Sequence, residues 1–167
     1  MRRLFLCMIL VSWYTLLKAQ YEGMEYYQEQ DPAVKVKLEQ WQDLKFGFFV
    51  HWGPYSQKGY CESWTICTED VDWIQRDTII SYDEYYRNYV NLKKTFNPVK
   101  FNPEYWADLA KEAGMKYFVF TTKHHDGFCM WDTKETDYKI TSSECPYHTA
   151  PNPDILKELF GAFQKRD

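Results

Sequence analysis

The chain has 167 residues, long enough for one domain with its own core. Its net charge is −4 and no basic block interrupts it, which excludes a dedicated nucleic-acid binder that works by matching phosphates. Aromatic residues make up 19% of the chain, with 7 Trp and 14 Tyr; so many flat rings suit an aromatic-rich core or stacking on the C–H faces of sugars.

The first predicted element is a targeting segment. Arg2 and Arg3 are followed by an apolar run, Leu4 to Leu17, broken only by Ser12 and Thr15. Lys18, Ala19 and Gln20 then lead into polar sequence. This charged, apolar and short polar order predicts a signal peptide over residues 1–20 and a secreted or periplasmic protein. The apolar run is too short to cross a bilayer comfortably, so no membrane span is expected after cleavage. Export permits disulfides among Cys61, Cys67, Cys129 and Cys145. None of them shows CxxC or Cys/His zinc spacing, and free thiols packed in a core are the expectation.

Val34 to Asp43 predicts a short helix with Val34, Leu38 and Trp41 on one face. "FGFFV", Phe46 to Val50, is a continuous apolar run that predicts a strand buried on both faces. A long polar and aromatic stretch follows, then a helix over Tyr82 to Leu92. "FNPEYWADLAKEAG" is a punctuated helix: Asn102 caps it, Pro103 fits its first turn and Gly114 its end. Trp106, Leu109, Ala110 and Ala113 form its apolar stripe. A second buried strand spans Tyr117 to Thr121. "NPDILKELFGAFQ" repeats the helix signal, with Asn152 as cap, Pro153 in the first turn and Ile155, Leu156, Leu159, Phe160 and Phe163 inward.

Continuous strands alternating with helices predict an α/β fold with a parallel sheet. Such sheets carry their chemistry in the loops after the carboxyl ends of strands. His51 follows the first strand, and His124 and His125 follow the second. A lone histidine there is more often structural. Three of the 4 histidines at equivalent strand ends point to a site.

"KFGFFVHWGPYS", "FNPEYWADLAKEAGMKY" and "YFVFTTKHHDGFCMWDTKETDY" carry a resemblance. They resemble the α-L-fucosidases of glycoside hydrolase family 29, in the right order and over roughly Lys45 to Asp167. The resemblance implies the N-terminal portion of a (β/α)8 TIM-like barrel, usually followed by a β-sandwich. It implies retaining hydrolysis of terminal α-L-fucose from glycoconjugates, with a carboxylate nucleophile and with neither metal nor cofactor. The implied partner is a fucosylated glycan.

By the same resemblance His51, in "HWG", and the pair His124 and His125, in "KHHDGF", bind fucose hydroxyls. Neutral imidazole suits that task, because one nitrogen donates and the other accepts. Asp126 and Gly127 read as turn residues. Phe128 and Trp131 are candidates to line the pocket for the sugar methyl group, although plain packing explains Trp131 nearly as well. The family's Glu-Trp pair has two matches here. Glu62 fits by residue type, and Asp72-Trp73 fits by order along the chain. Trp64 and Trp73 are comparable candidates for the tryptophan. A solvated acidic loop is the bland alternative for the carboxylates.

Retaining hydrolysis needs two carboxyl groups about the scissile bond. Only two βα units are legible, of a barrel that has eight and runs to about 250 residues. The nucleophile and the acid/base residue are therefore expected beyond Asp167, and residues 21–167 are expected to form an incomplete, inactive part of the catalytic barrel. Two other readings fit the same residues. One is a non-catalytic fucose-binding or non-functional fragment. The other is a metal enzyme using His51, His124, His125 and Asp126, which adjacent histidines pointing to opposite sides of an extended segment would disfavour.

Overall fold

The computed structural model describes residues 29–68, 74, 76 and 79–166. The chain divides into two units between Asp43 and Leu44. The predicted signal peptide lies outside the described residues. Within the first unit, helix α1 spans Pro32–Asp43. Asp31 starts it: its carboxylate accepts from the amide of Ala33 at 2.8 Å, and its carbonyl from that of Lys35 at 2.9 Å. No residue of α1 is buried.

The second unit holds the βα pattern. Strand β1 (Phe48–His51) is followed by short 3-10 turns at Pro54–Lys58 and Trp64–Ile66. Helix α2 (Tyr82–Val90) runs into another such turn at Asn91–Lys94. Helix α3 (Pro103–Glu112), strand β2 (Phe118–Thr121), a turn at Pro146–Thr149 and helix α4 (Ile155–Gln164) complete the order. The two strands pair in parallel, with Phe48 opposite Phe118 and His51 opposite Thr121. Each strand leads, through its loops, to a helix that packs on its partner, α3 against α4. This is the unit from which a (β/α)8 barrel is built.

Both strands start later than expected, β1 at Phe48 rather than Phe46 and β2 at Phe118 rather than Tyr117. β1 is not buried on both faces. Phe49 is 60% exposed, while Phe48 packs on Phe118 and Phe163. Successive side chains of a strand point to opposite faces. Phe48 and Val50 therefore meet the helix layer, and Phe49 and His51 share the other face. In a barrel that second face is the inward one.

α3 starts where its punctuation predicts. The Asn102 side chain accepts from the amide of Tyr105 at 3.0 Å, and Gly114 takes φ 77° just past the end. Its stripe is rotated from the expected one. Ala107 and Ala110 are buried and Leu109 is half exposed, because Trp106 packs against Phe48, Trp52 and Phe101. α4 starts two residues later than expected. Asp154, not Asn152, caps it, accepting from the amide of Lys157 at 3.0 Å. Ile155 and Leu159 are fully buried, but Phe160 is 44% exposed, with its ring edge-on to that of Phe118. All four cysteines after position 60 are free, with Cys129 and Cys145 buried, Cys67 intermediate and Cys61 exposed.

Candidate functional site

β1 delivers His51 as its last residue, on the face shared with Phe49, whose ring stacks on it at 5.0 Å. β2 ends at Thr121, and the chain turns at once through Lys123 to Gly127. The turn is closed by the Gly127 amide donating to the His124 carbonyl at 3.0 Å, with Gly127 at φ 83°. That backbone conformation is open to glycine and strained for other residues. The Met130 amide donates to the Thr122 carbonyl at 3.0 Å and ties the far side of the loop back to the strand end.

Asp126 anchors the turn from beneath. One of its oxygens accepts from the Phe128 amide at 3.1 Å, and the other from the Tyr89 hydroxyl at 2.9 Å. Burial pushes its carboxyl above the usual range, and these two donors act in the opposite direction. Burial, with the nearby Asp126 charge, also pushes the Tyr89 hydroxyl far up, so it stays a donor. Asp126 therefore holds the loop to α2.

With the loop so held, the rings of His51 and His124 lie 5.7 Å apart, and those of His124 and His125 lie 4.9 Å apart and perpendicular. Trp64 packs against both members of the pair, at 6.2 and 5.7 Å, and Tyr55 meets His124 edge-on at 6.1 Å. The buried Ser63 hydroxyl is hydrogen-bonded to Nδ1 of His124. Burial pulls the His124 pKa down, and the neighbouring His125 adds to the effect. Both effects favour the neutral imidazole of His124, and one of its nitrogens is engaged by Ser63.

Glu62 completes the group. Its Oε1 lies 3.6 Å from Nδ1 of His51, and its backbone sits at φ 44°, an uncommon conformation for a residue with a side chain. Its other oxygen is 3.2 Å from the Cys61 sulfur, and this contact raises the Cys61 thiol pKa. A cavity of about 420 Å³ opens beside the group, lined by Ser63, Trp64, Ile66, Cys67, Tyr86 and His125 among others.

Of the residues singled out in the sequence, His51, Glu62, Trp64, His124 and His125 are brought together. Trp131 is half-buried and makes no ring contact with that group among the described residues. Asp72 and Trp73 lie outside the described residues. Phe128 is not a pocket wall: it is 2% exposed and packs edge-on against Phe96 and Tyr138. Ser63, Tyr55 and Tyr89 were not singled out. Ser63 stands between two residues that were, and Tyr55 follows "HWGP" directly. Tyr89 had no local signal, because its partner Asp126 is 37 positions away.

A family model described as "Alpha-L-fucosidase" matches residues 15–167. The tissue α-L-fucosidase of Bos taurus is 33% identical over 138 residues, which are 78% of this chain and 27% of that protein. A family 29 α-L-fucosidase of Bacteroides thetaiotaomicron, solved as a trapped covalent intermediate, superposes with a TM-score of 0.58 at 34% identity, over 87% of this chain and 30% of its own. The Thermotoga maritima α-fucosidase solved with fucose gives 0.53 at 34% identity, over 74% of this chain and 30% of its own. The chain spans less than a third of the length of each of these relatives.

Proposed function

We propose, from the premise that the chain belongs to the α-L-fucosidase family of glycoside hydrolases, that it takes part in retaining hydrolysis of terminal α-L-fucose from glycoconjugates. The observation that carries this reading is the convergence of His51, His124 and His125 on one end of the parallel strand pair, with Glu62 facing His51. Neutral imidazoles donate and accept at once, as neighbouring sugar hydroxyls require. Glu62 adds an acceptor, and Trp64 offers a face for the C–H side of the ring. Hydrogen bonds of this kind orient a sugar and strengthen as its transition state forms. The carboxylates of the two-step reaction are assigned to the part of the barrel that the relatives have and residues 1–167 do not span. Asp126, committed to Tyr89 and Phe128, is not one of them.

The binding role is tested by titrating L-fucose into the 167-residue chain and following side-chain resonances. Shifts are expected at His51, His124, His125 and the Trp64 indole. His125 is exposed, so losing its hydrogen bond costs roughly 0.5–1.5 kcal/mol, the net worth of an ordinary one. His125→Ala should therefore weaken binding about twofold to tenfold. An unchanged affinity in a folded His125→Ala protein, or shifts confined to Trp131, would overturn the assignment.

The reading also includes export, with residues 1–20 removed as a signal peptide and 21–167 as the start of the catalytic barrel. A human relative named a plasma α-L-fucosidase, 32% identical over 139 residues, supports it. Expressed in its natural host, the protein should be recovered outside the cytoplasm with a first residue near Gln20 or Tyr21. Terminal sequencing that finds Met1 on cytoplasmic protein would refute this.

A further inference from the structure

We propose that His51, Glu62 and His124 form a binding site for a divalent transition-metal ion, Zn²⁺ by the chemistry of its donors, and that the ion competes with sugar. One ligand atom from each of the three residues lies within 4.8 Å of the others. Two imidazoles and a carboxylate are the donor set of open zinc sites, which leave a fourth position to water or another ligand. Ligands about 2.1 Å from a tetrahedral ion stand about 3.4 Å apart, from standard metal–ligand lengths. The 3.6 Å between Nδ1 of His51 and Oε1 of Glu62 already matches that spacing, so the remaining adjustment falls on the third ligand.

Two further features favour the site. A metal-bound histidine ordinarily donates its other N–H to a fixed partner, which sets the tautomer and the ring plane. The hydroxyl of the buried Ser63 is hydrogen-bonded to Nδ1 of His124; in the Nδ1–H tautomer it accepts that proton, fixes the ring in this way and leaves the lone pair on Nε2. In addition, His51 and Glu62 keep 34% and 24% of their side chains exposed, so an ion has a path in. The grouping differs from the one the paired histidines invite. His125 stands perpendicular to His124 and is not part of it, and Asp126 is taken up by Tyr89.

The metal site stands on this geometry alone; its competition with sugar rests on the fucose reading above. An ion held by these three side chains would occupy the lone pairs assigned to hydroxyl contacts. Bound zinc would then act as a reversible inhibitor of fucose binding.

The test uses the full 167-residue chain, stripped of metal with a chelator. Zn²⁺ is titrated in competition with a chromophoric chelator, and Co²⁺ is used as a spectroscopic stand-in. One ion per chain is expected, with the intense visible bands of four-coordinate Co²⁺. His51→Ala, His124→Ala and the isosteric Glu62→Gln should each weaken Zn²⁺ at least tenfold, and Ser63→Ala about tenfold to a hundredfold as a supporting residue. Circular dichroism reports folding; if an alanine variant unfolds, Glu62→Gln decides. His148→Ala, at a histidine bonded to the Cys145 carbonyl, should change nothing. Loss of binding in Cys61→Ser with full retention in His51→Ala would overturn the proposal, as would no binding by the stripped chain. Zinc binding without fucose binding would support the metal site and sink the fucose reading. Fucose binding without zinc binding would do the reverse. If both bind, saturating Zn²⁺ should raise the apparent fucose Kd; independence of the two would refute the shared site.

Discussion

The 167-residue chain, purified and folded, is expected to bind L-fucose yet leave an aryl α-L-fucoside uncleaved under conditions where a longer related fucosidase turns it over. A retaining mechanism needs two carboxyl groups about 5–5.5 Å apart, one to attack the anomeric carbon and one to protonate the leaving oxygen. Among the described residues, Glu62 is the carboxylate that faces the histidines, and its Oε1 is already directed at His51. Asp126 is the next in sequence to the histidine pair, but its two oxygens are held by the Tyr89 hydroxyl and the Phe128 amide. Freeing it for attack would break both bonds and release the loop that positions His124. Histidines alone can grip and polarise a sugar, but they do not substitute for the paired carboxylates. The rate difference should therefore be complete within the sensitivity of the assay. Turnover by the chain that vanishes in Asp126→Asn, with fucose affinity kept, would overturn both the division of labour and the structural role given to Asp126.

Phe128→Ala should be the most damaging single change to stability around this loop. Phe128 is 2% exposed and makes edge-to-face contacts with Phe96 at 6.0 Å and Tyr138 at 5.0 Å. Removing a buried phenylalanine forfeits its transfer energy and leaves a cavity, a loss of about 3–5 kcal/mol. That is a large part of the margin of an ordinary domain, about 5–15 kcal/mol. The loss should reach the site as well, because the Phe128 amide is one of the two donors that fix Asp126. Urea unfolding measures the effect, with Phe160→Ala as comparison. Phe160 is 44% exposed and should lose much less. If Phe128 were a pocket wall instead, the variant would keep its stability and lose only fucose affinity; that pattern would refute its placement in the core.

Much of this arrangement was written locally. "FGFFV" and "YFVFT" are recognisable strands because four or five apolar residues in a row have few other uses. The Asn102-Pro103 start of α3 is legible because a cap is settled within three residues. Three histidines at the ends of two such strands are enough to mark one edge of the sheet, since parallel pairing aligns the strand ends. What tertiary structure decided is what depends on partners distant in sequence. Ser63 reaches His124 across 61 positions, and Tyr89 reaches Asp126 across 37. No periodicity encodes those pairs. Phe128 was legible as a large aromatic beside a site, but its direction depends on whether Phe96 and Tyr138 lie behind the loop. The choice of Asp154 over Asn152 as the α4 cap was equally remote. The Asp154 carboxylate also accepts from the Asp132 amide at 3.1 Å, so the helix start is tied to a segment 22 residues earlier. Short-range steric and hydrogen-bonding preferences set the elements, whereas the orientation of each functional side chain was set by packing between segments that meet only once the chain has folded.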